Sequence, residues 1–368
     1  MQLAPFQLDR WIDSWKHGGT IEYDLGSSTG PTWTLREALG DSVDDLLDLE
    51  VLYAPAQGTG ALRAEIAAFH GVSADAVQVT SGASEALLIL FHRVAEPGAN
   101  VVVPFPGFPP FEEVPRSLGL EVRRYHLAPE RGFSVDVDEI SRAMDDRTRL
   151  VLLNSPHNPT GSVTPWSDIV ALHDRCAARG VQFVVDEVYH PIFYGEPEPS
   201  AARLPHATVI HDSSKALCLS GLRLGWIVDH DPARRAEYLN ARSYFTISNS
   251  PITELIGAIA MRRRDAILAR ARSLAAANRD RLNAFAEQHA ALLGYVPPDG
   301  GTTAFPVLRS GASARPLCQA AAERGVLLAP GDCFGMPSHF RLGFASTGER
   351  FADGLARLTE VIASRNWS

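Results

Sequence analysis

Cysteine is scarce in this chain: there are 4 in 368 residues, Cys176, Cys218, Cys318 and Cys333, with no CxxC pair or Cys/His cluster. That spacing argues against a structural zinc site and a disulfide framework, and it points to a reducing compartment. Excess positive charge is missing as well. The 34 Lys and Arg stand against 43 Asp and Glu, a formal net charge of -9, whereas a nucleic-acid or anionic-membrane binder would carry a basic face. No run of 18 apolar residues occurs, and the opening MQLAPFQLDRW has no basic segment ahead of an apolar one. A soluble, cytoplasmic protein with no membrane or nucleic-acid partner is expected. GxGxxG, Walker A and HExxH are also absent, and Gly82-Ala83-Ser84-Glu85-Ala86 completes only the first half of GxSxG. No metal site is expected.

What is present is an ordinary globular composition, 45% apolar and 21% charged. Short β-rich runs recur at Ala76–Thr80, Val101–Pro104, Leu150–Asn154, Phe183–Asp186, Val209–His211 and Trp226–Asp229. Helical spacing fills the gaps at 82–95, Ser167–Arg179 and Thr253–Arg262, so the fold class is α/β with a mostly parallel sheet sandwiched by helices. The basic stretch Ile252–His289 reads as the solvated face of a long connecting helix. Beyond it, short strands around one helix, and a last helix near Asp353–Ser364, predict a smaller α+β domain. The expected division is an N-terminal arm over 1–35 packing on the small domain, a large domain over 36–275, and a small domain over 276–368.

Three segments follow apolar strands and carry polar chemistry. They are Asn154-Ser155-Pro156-His157-Asn158-Pro159-Thr160-Gly161, Val184-Val185-Asp186-Glu187-Val188-Tyr189, and the run from Ser213 to Trp226 that holds Lys215 and Arg223. Polar residues at strand ends of an α/β sheet face the ligand crevice. A lysine there, with an arginine eight residues on, sets an amine beside an aldehyde and a guanidinium against its phosphate.

Together these segments resemble the class I/II aminotransferases, the fold-type-I enzymes of pyridoxal 5′-phosphate (PLP), with the motifs in order from Tyr53 to Arg341. The resemblance implies that Lys215 carries PLP as a Schiff base and that Arg223 holds its phosphate. Asp186 pairs with the pyridine nitrogen, Asn158 and Tyr189 bond the ring hydroxyl oxygen, and Phe108 stacks on the ring. Tyr53 matches a tyrosine that reaches the partner subunit's phosphate, which implies a homodimer with shared active sites. Arg341 matches the arginine that takes the substrate carboxylate through a planar fork. Physical chemistry agrees with these roles. A carboxylate favours the protonated pyridine that draws electrons from Cα. The backbone N–H groups of Ala83 and Ser84 open a helix and suit an anion, with the Ser214 hydroxyl as a further donor. His157, His190, Cys218 and Cys333 read as packing residues.

Two features depart from an ordinary transaminase. Asp212 stands three residues before Lys215, where relatives carry Ser or Thr, and PLP-dependent arginine oxidases and hydroxylases resemble the chain in this. The segments Asp24–Gly30 with Ser28, Tyr244–Pro251 and Gly300–Pro306 are similar to those of PLP enzymes that cyclise a hydroxylated arginine, and their hydroxyls hint at a polar substrate side chain. The expected activity is PLP-dependent transamination at Cα of an L-amino acid, with a keto acid as second substrate and Lys215, Asp186 and Tyr189 as catalytic residues. Asn158, Arg341 and Ser28 are expected to bind substrate. The alternative is a biosynthetic cyclase, eliminase, oxidase or hydroxylase acting on arginine or an arginine-like amino acid. A purely regulatory protein on this fold is disfavoured by the retained Lys215.

Overall fold

The structure, a computed structural model, describes residues 2–346, 348–364 and 367. The chain opens with α1 (Gln7–Lys16), β1 (Tyr23–Asp24), α2 (Leu35–Leu39), α3 (Val43–Leu47) and α4 (Gly60–His70). The central region then alternates β2 (Val77–Thr80), α5 (Ala83–Arg93), β3 (Asn100–Phe105), α6 (Pro110–Ser117), β4 (Glu121–His126), α7 (Val137–Ala143), β5 (Thr148–Asn154), α8 (Trp166–Ala177), β6 (Gln182–Asp186), β7 (Ala207–Asp212) and β8 (Gly225–Asp229). After α9 (Pro232–Phe245), α10 (Pro251–Arg262) and α11 (Arg264–Gln288) come β9 (Leu293–Gly294), β10 (Thr303–Ala304), β11 (Val307–Leu308), α12 (Arg315–Glu323), β12 (Val326–Leu327), β13 (Ala329–Pro330), β14 (Phe340–Gly343) and α13 (Gly348–Ala363).

Seven strands form the main sheet in the order β2-β8-β7-β6-β5-β3-β4. Only the two pairings of β8 are antiparallel. The inner strands are apolar on both faces because helices cover both, so Val184, Val185, Val209 and Ile210 are all buried to 0% exposure. Six of the seven strands lie where the apolar runs predict them. The seventh, β4, reads Glu-Val-Arg-Arg-Tyr-His and lies at the sheet edge, where one neighbour and solvent suffice.

The stretch over 252–289 differs from expectation: two helices replace one. Arg263 leaves helical geometry (φ -99°, ψ 10°), and its guanidinium donates to the carbonyls of Glu37 and Ala38 at 2.7 and 3.0 Å. The break is tied there to the end of α2. Helix α11 starts against the main core through Ile267 and Leu268 and ends in a second core with Leu317, Phe340 and Phe351. The N-terminal segment threads this second region: β1 pairs with β12, the Trp11 indole donates to the Leu328 carbonyl at 2.7 Å, and Gly343 N–H donates to the Leu25 carbonyl at 2.7 Å.

Candidate active site

The crevice forms outside the carboxyl ends of the parallel strands. Asn154 and Asp186 end neighbouring strands and face each other across the ladder. The Asn154 amide donates to the Asp186 carbonyl at 3.0 Å, while its side-chain oxygen accepts the N–H of Asn158 at 2.8 Å. That bond turns the loop after β5 back toward the crevice. Side-chain alternation then separates two adjacent acids. Asp186 lines the crevice and accepts the Val188 N–H at 3.1 Å, whereas Glu187 accepts the Ser200 hydroxyl and the Ala201 N–H, each at 2.7 Å.

Lys215 follows β7 and sends its Nζ to the Ser28 hydroxyl at 2.9 Å. The Asp212 carboxylate accepts the Ser214 N–H at 2.8 Å, so its departure from Ser or Thr is turned in part to the backbone. Arg223 lies in the left-handed region (φ 49°, ψ 47°), which costs a non-glycine residue roughly 1–2 kcal/mol. Its guanidinium approaches Ser214 Oγ at 3.4 Å and passes so close to Gly82 that a Cβ there would meet Nη2 at 2.6 Å. Gly82, at φ 83°, precedes α5, and no side chain caps that helix, so its first N–H groups point at the crevice unclaimed by a cap.

Arg341 is 3% exposed. It donates to Asn158 Oδ1 at 3.1 Å and to the Gly26 carbonyl at 2.7 Å, lies over the Phe334 ring, and leaves its Nε without a hydrogen-bond partner. No described carboxylate pairs with it. Burial lowers its pKa. A buried guanidinium without a counter-ion is costly and calls for an incoming anion.

Of the residues singled out from the sequence, Ala83, Ser84, Phe108, Asn158, Asp186, Tyr189, Ser214, Lys215, Arg223, Arg341 and Ser28 all border one cavity of about 300 Å³. Tyr53 does not; it is 84% exposed and lies outside the cavity lining. Phe108 packs edge-on against Phe6 and Phe111, with centroids 5.9 and 5.7 Å away. His157 and His190 bond Thr160 and the Glu198 carbonyl outside the lining, and Cys218 and Cys333 are buried. Asn154, placed by the sequence in a crevice-facing segment without a role of its own, also lines the cavity, whereas the contributions of Phe6 and of Leu8, Asp9 and Ile12 on α1 were missed. The helical spacing of Leu8, Trp11, Ile12 and Trp15 was a signal for the helix, but nothing local says where that helix docks.

The electrostatics fit PLP. Burial pushes the Asp186 carboxyl up to about 7 against the pull of the Val188 N–H, and a cation beside it is what would hold it ionised. Burial brings Lys215 down to about 8, opposed by the Asp212 carboxylate. Burial takes the Tyr189 hydroxyl up to about 12 against the pull of Arg341 and of nearby Ser28, and the hydroxyl is left without a well-formed hydrogen bond. A pyridinium, a ring oxygen and a phosphate would satisfy Asp186, Tyr189 and the uncapped end of α5 respectively. No cluster of three or more His, Cys, Asp or Glu able to hold a metal occurs among the described residues.

A lysine at this strand end, a buried acid on the neighbouring strand and a helix terminus shaped for phosphate define a fold-type-I PLP-dependent enzyme. Residues 24–358 match the aminotransferase class I and II family, and the chain belongs to it. It is 32% identical over 352 residues to capreomycidine synthase of Streptomyces vinaceus, covering 93% of this chain and 90% of that one. It is 31% identical over 333 residues to arginine–pyruvate transaminase of Pseudomonas aeruginosa, covering 86% and 84%. A PLP-dependent aminotransferase from Streptococcus suis superposes with a TM-score of 0.93 at 25% identity over 100% of both chains. The protein is thus a PLP-dependent enzyme of the aminotransferase type, whose family takes amino acids and keto acids. No described helix is long and apolar enough to cross a membrane.

Proposed function

We propose that this chain transaminates an L-amino acid as a cytoplasmic homodimer. The observation that carries the reading is the buried, unpaired Arg341 on the same cavity as Lys215, an anion site beside an amine. Arg341 and Asn158 take the substrate α-carboxylate, and Ser28 orients Nζ. Bound PLP supplies the electron-accepting ring that stabilises the pair left at Cα. Lys215 Nζ removes the Cα proton, and its lowered pKa places the free amine near working pH. Asp186 keeps the ring nitrogen cationic, Tyr189 and Asn158 hold the ring oxygen, and Phe108 covers the ring. Arg223, Ser214 and the N–H groups of Ala83 and Ser84 hold the phosphate.

The homodimer is supported by an exposed apolar run, Leu47, Val51, Leu52 and Tyr53, together with exposed Tyr244, Phe245, Ile247 and Ile252. Tyr53 would reach the partner's phosphate. One core drawn mainly from residues within 36–275 and a second from Ala275 onward support a large domain over 36–275 and a small domain over 276–368, and Leu25 in the second core supports an arm over 1–35 packing there.

A cyclase or related biosynthetic activity is the second reading. The similarity to capreomycidine synthase favours it, as do the hydroxyls beside Lys215, where Ser27 and Thr29 bond at 2.8 Å and Thr302 donates to the Ser28 carbonyl. Single-turnover reactions with a panel of L-amino acids separate the two. Transamination gives stoichiometric pyridoxamine phosphate and a keto acid, with further turnover only after a keto acid is added, and Lys215→Ala abolishes it. Multiple turnover without a keto acid, yielding a ring, ammonia or dioxygen consumption, would overturn transamination.

A further inference from the structure

The cavity has two ends of different character. Its cations, Lys215, Arg223 and Arg341, all have tasks under the proposed function, two toward the cofactor and one toward the α-carboxylate. This chain's share of the lining therefore leaves no cation for a side-chain carboxylate. Its acids are Asp186 and Asp212 at the strand ends and Asp9 on α1. Asp9 is unlike the other two. It is exposed at the rim and forms no ion pair or side-chain hydrogen bond with a described residue, nor does it cap its helix.

The helix that carries Asp9 is held in place. Leu8 is buried, Phe6 meets Phe108 edge-on at 5.9 Å, and Trp11 donates to the Leu328 carbonyl and stacks under Arg315. Leu8 and Ile12, one turn apart, give the cavity an apolar wall beside Asp9. Partial burial and neighbouring Asp13 raise the carboxyl pKa, while Arg341 and Lys215 pull it down, so the fields of these two of the three crevice cations reach it. A ligand anchored at Arg341 by its α-carboxylate shares the cavity with this apolar wall and with the free carboxylate at the rim. That combination suits a side chain with a methylene stem and a cationic head.

We propose that Asp9 is a specificity-determining residue that receives the cationic head of a long amino-acid side chain, a guanidinium or an ammonium. The inference rests on the proposed function, since Arg341 and Lys215 fix the other end of the substrate. L-Arginine and L-citrulline are nearly isosteric and differ in head charge, and L-glutamate carries the opposite charge. Holoenzyme is assayed with each, in wild type, Asp9→Asn and Asp9→Glu. Apparent Kd is read in parallel from the cofactor's absorbance change, which reports binding whatever products leave.

In the wild type arginine is favoured over citrulline by roughly threefold to fivefold, in KM and Kd rather than kcat, as for a partly exposed charge pair. Asp9→Asn brings the ratio near one, and Asp9→Glu retains most of it. A ratio that survives in Asp9→Asn overturns the assignment to Asp9 and leaves the proposed function standing. Equal or better use of citrulline or glutamate by the wild type overturns the cationic class. No absorbance change with any amino acid overturns the proposed function and this inference with it.

Discussion

At the floor of the crevice, Asn154, Asp186 and Asp212 end three adjacent parallel strands and are positioned by the ladder between them. At the rim stand Asp9 and Ile12 of α1 and Phe6, the residue just before it, on an N-terminal segment held mainly by Leu8, Trp11 and a ring contact. Floor groups are buried and bonded to neighbouring backbone; the rim carboxylate has no partner among the described residues. A group that must meet reacting atoms needs the first kind of support, because small misplacement is costly in rate. A group that only selects among side chains tolerates the second. Reaction type is therefore assigned to the floor and substrate choice to the rim.

The comparison breaks most readily at Asp186. Asp186→Asn keeps an oxygen to accept the Val188 N–H, so the fold should survive, but the amide cannot hold a ring cation. Turnover falls by about a hundredfold or more, the scale of losing one electrostatic partner in a dry site. Unchanged turnover with cofactor bound would remove the floor's claim on the chemistry. The same variant has a second readout in the cofactor-free protein. There the folded carboxyl keeps its proton up to about 7, whereas the unfolded one releases it near about 4. Its contribution to stability is complete below that lower value and is lost as pH rises to about 7. Glu187, raised by burial to about 7, acts with the same sign. Thermal melts of Asp186→Asn from pH 4 to pH 7 should fall less steeply than wild type, and an identical slope would contradict the burial assigned to Asp186.

The division between floor and rim is also a division in legibility. Leu150–Asn154 and Phe183–Asp186 are continuous apolar runs ending in polar residues, so strand, burial and crevice position are all written locally. The edge strand β4 lacks that pattern because solvent covers part of it. Helix α9 was missed although Asp231-Pro232 is a cap followed by proline at the first helical position, and the Asp231 carboxylate accepts the N–H groups of Ala233 and Arg234. The bonds Arg341 to Gly26 and Lys215 to Ser28 join residues 315 and 187 positions apart. No periodicity encodes such contacts. Arg341 and Ser28 were reached through family resemblance, and Asp9, which the resemblance did not mark, was not reached at all.

Tyr53 tests whether the rim is complete in one chain. If it crosses to the partner's phosphate, an inactive Lys215→Ala protein mixed with an inactive Tyr53→Ala protein should regain activity. In each hybrid dimer one site then has both residues. With equal mixing half the dimers are hybrid, so activity should approach about a quarter of wild type for a symmetric dimer. Subunit exchange shown by mass, with no recovered activity, would return Tyr53 to the surface of its own subunit.

The smallest effect is expected at Asp212, where floor geometry and unusual chemistry meet. Its carboxylate accepts the Ser214 N–H, and its charge works against the burial that lowers Lys215. A serine there can still accept that N–H but brings no charge. Asp212→Ser should therefore keep the same products and bind PLP at least as tightly, since an anion has left the phosphate side. The remaining change is electrostatic: with its nearby anion removed, a cation at Lys215 loses its proton at lower pH. The midpoint of the cofactor's visible-absorbance titration should move down by less than about one pH unit. A changed product distribution with continued Cα deprotonation would mean instead that Asp212 directs the reaction, and would shift the reading from transamination toward the biosynthetic alternative.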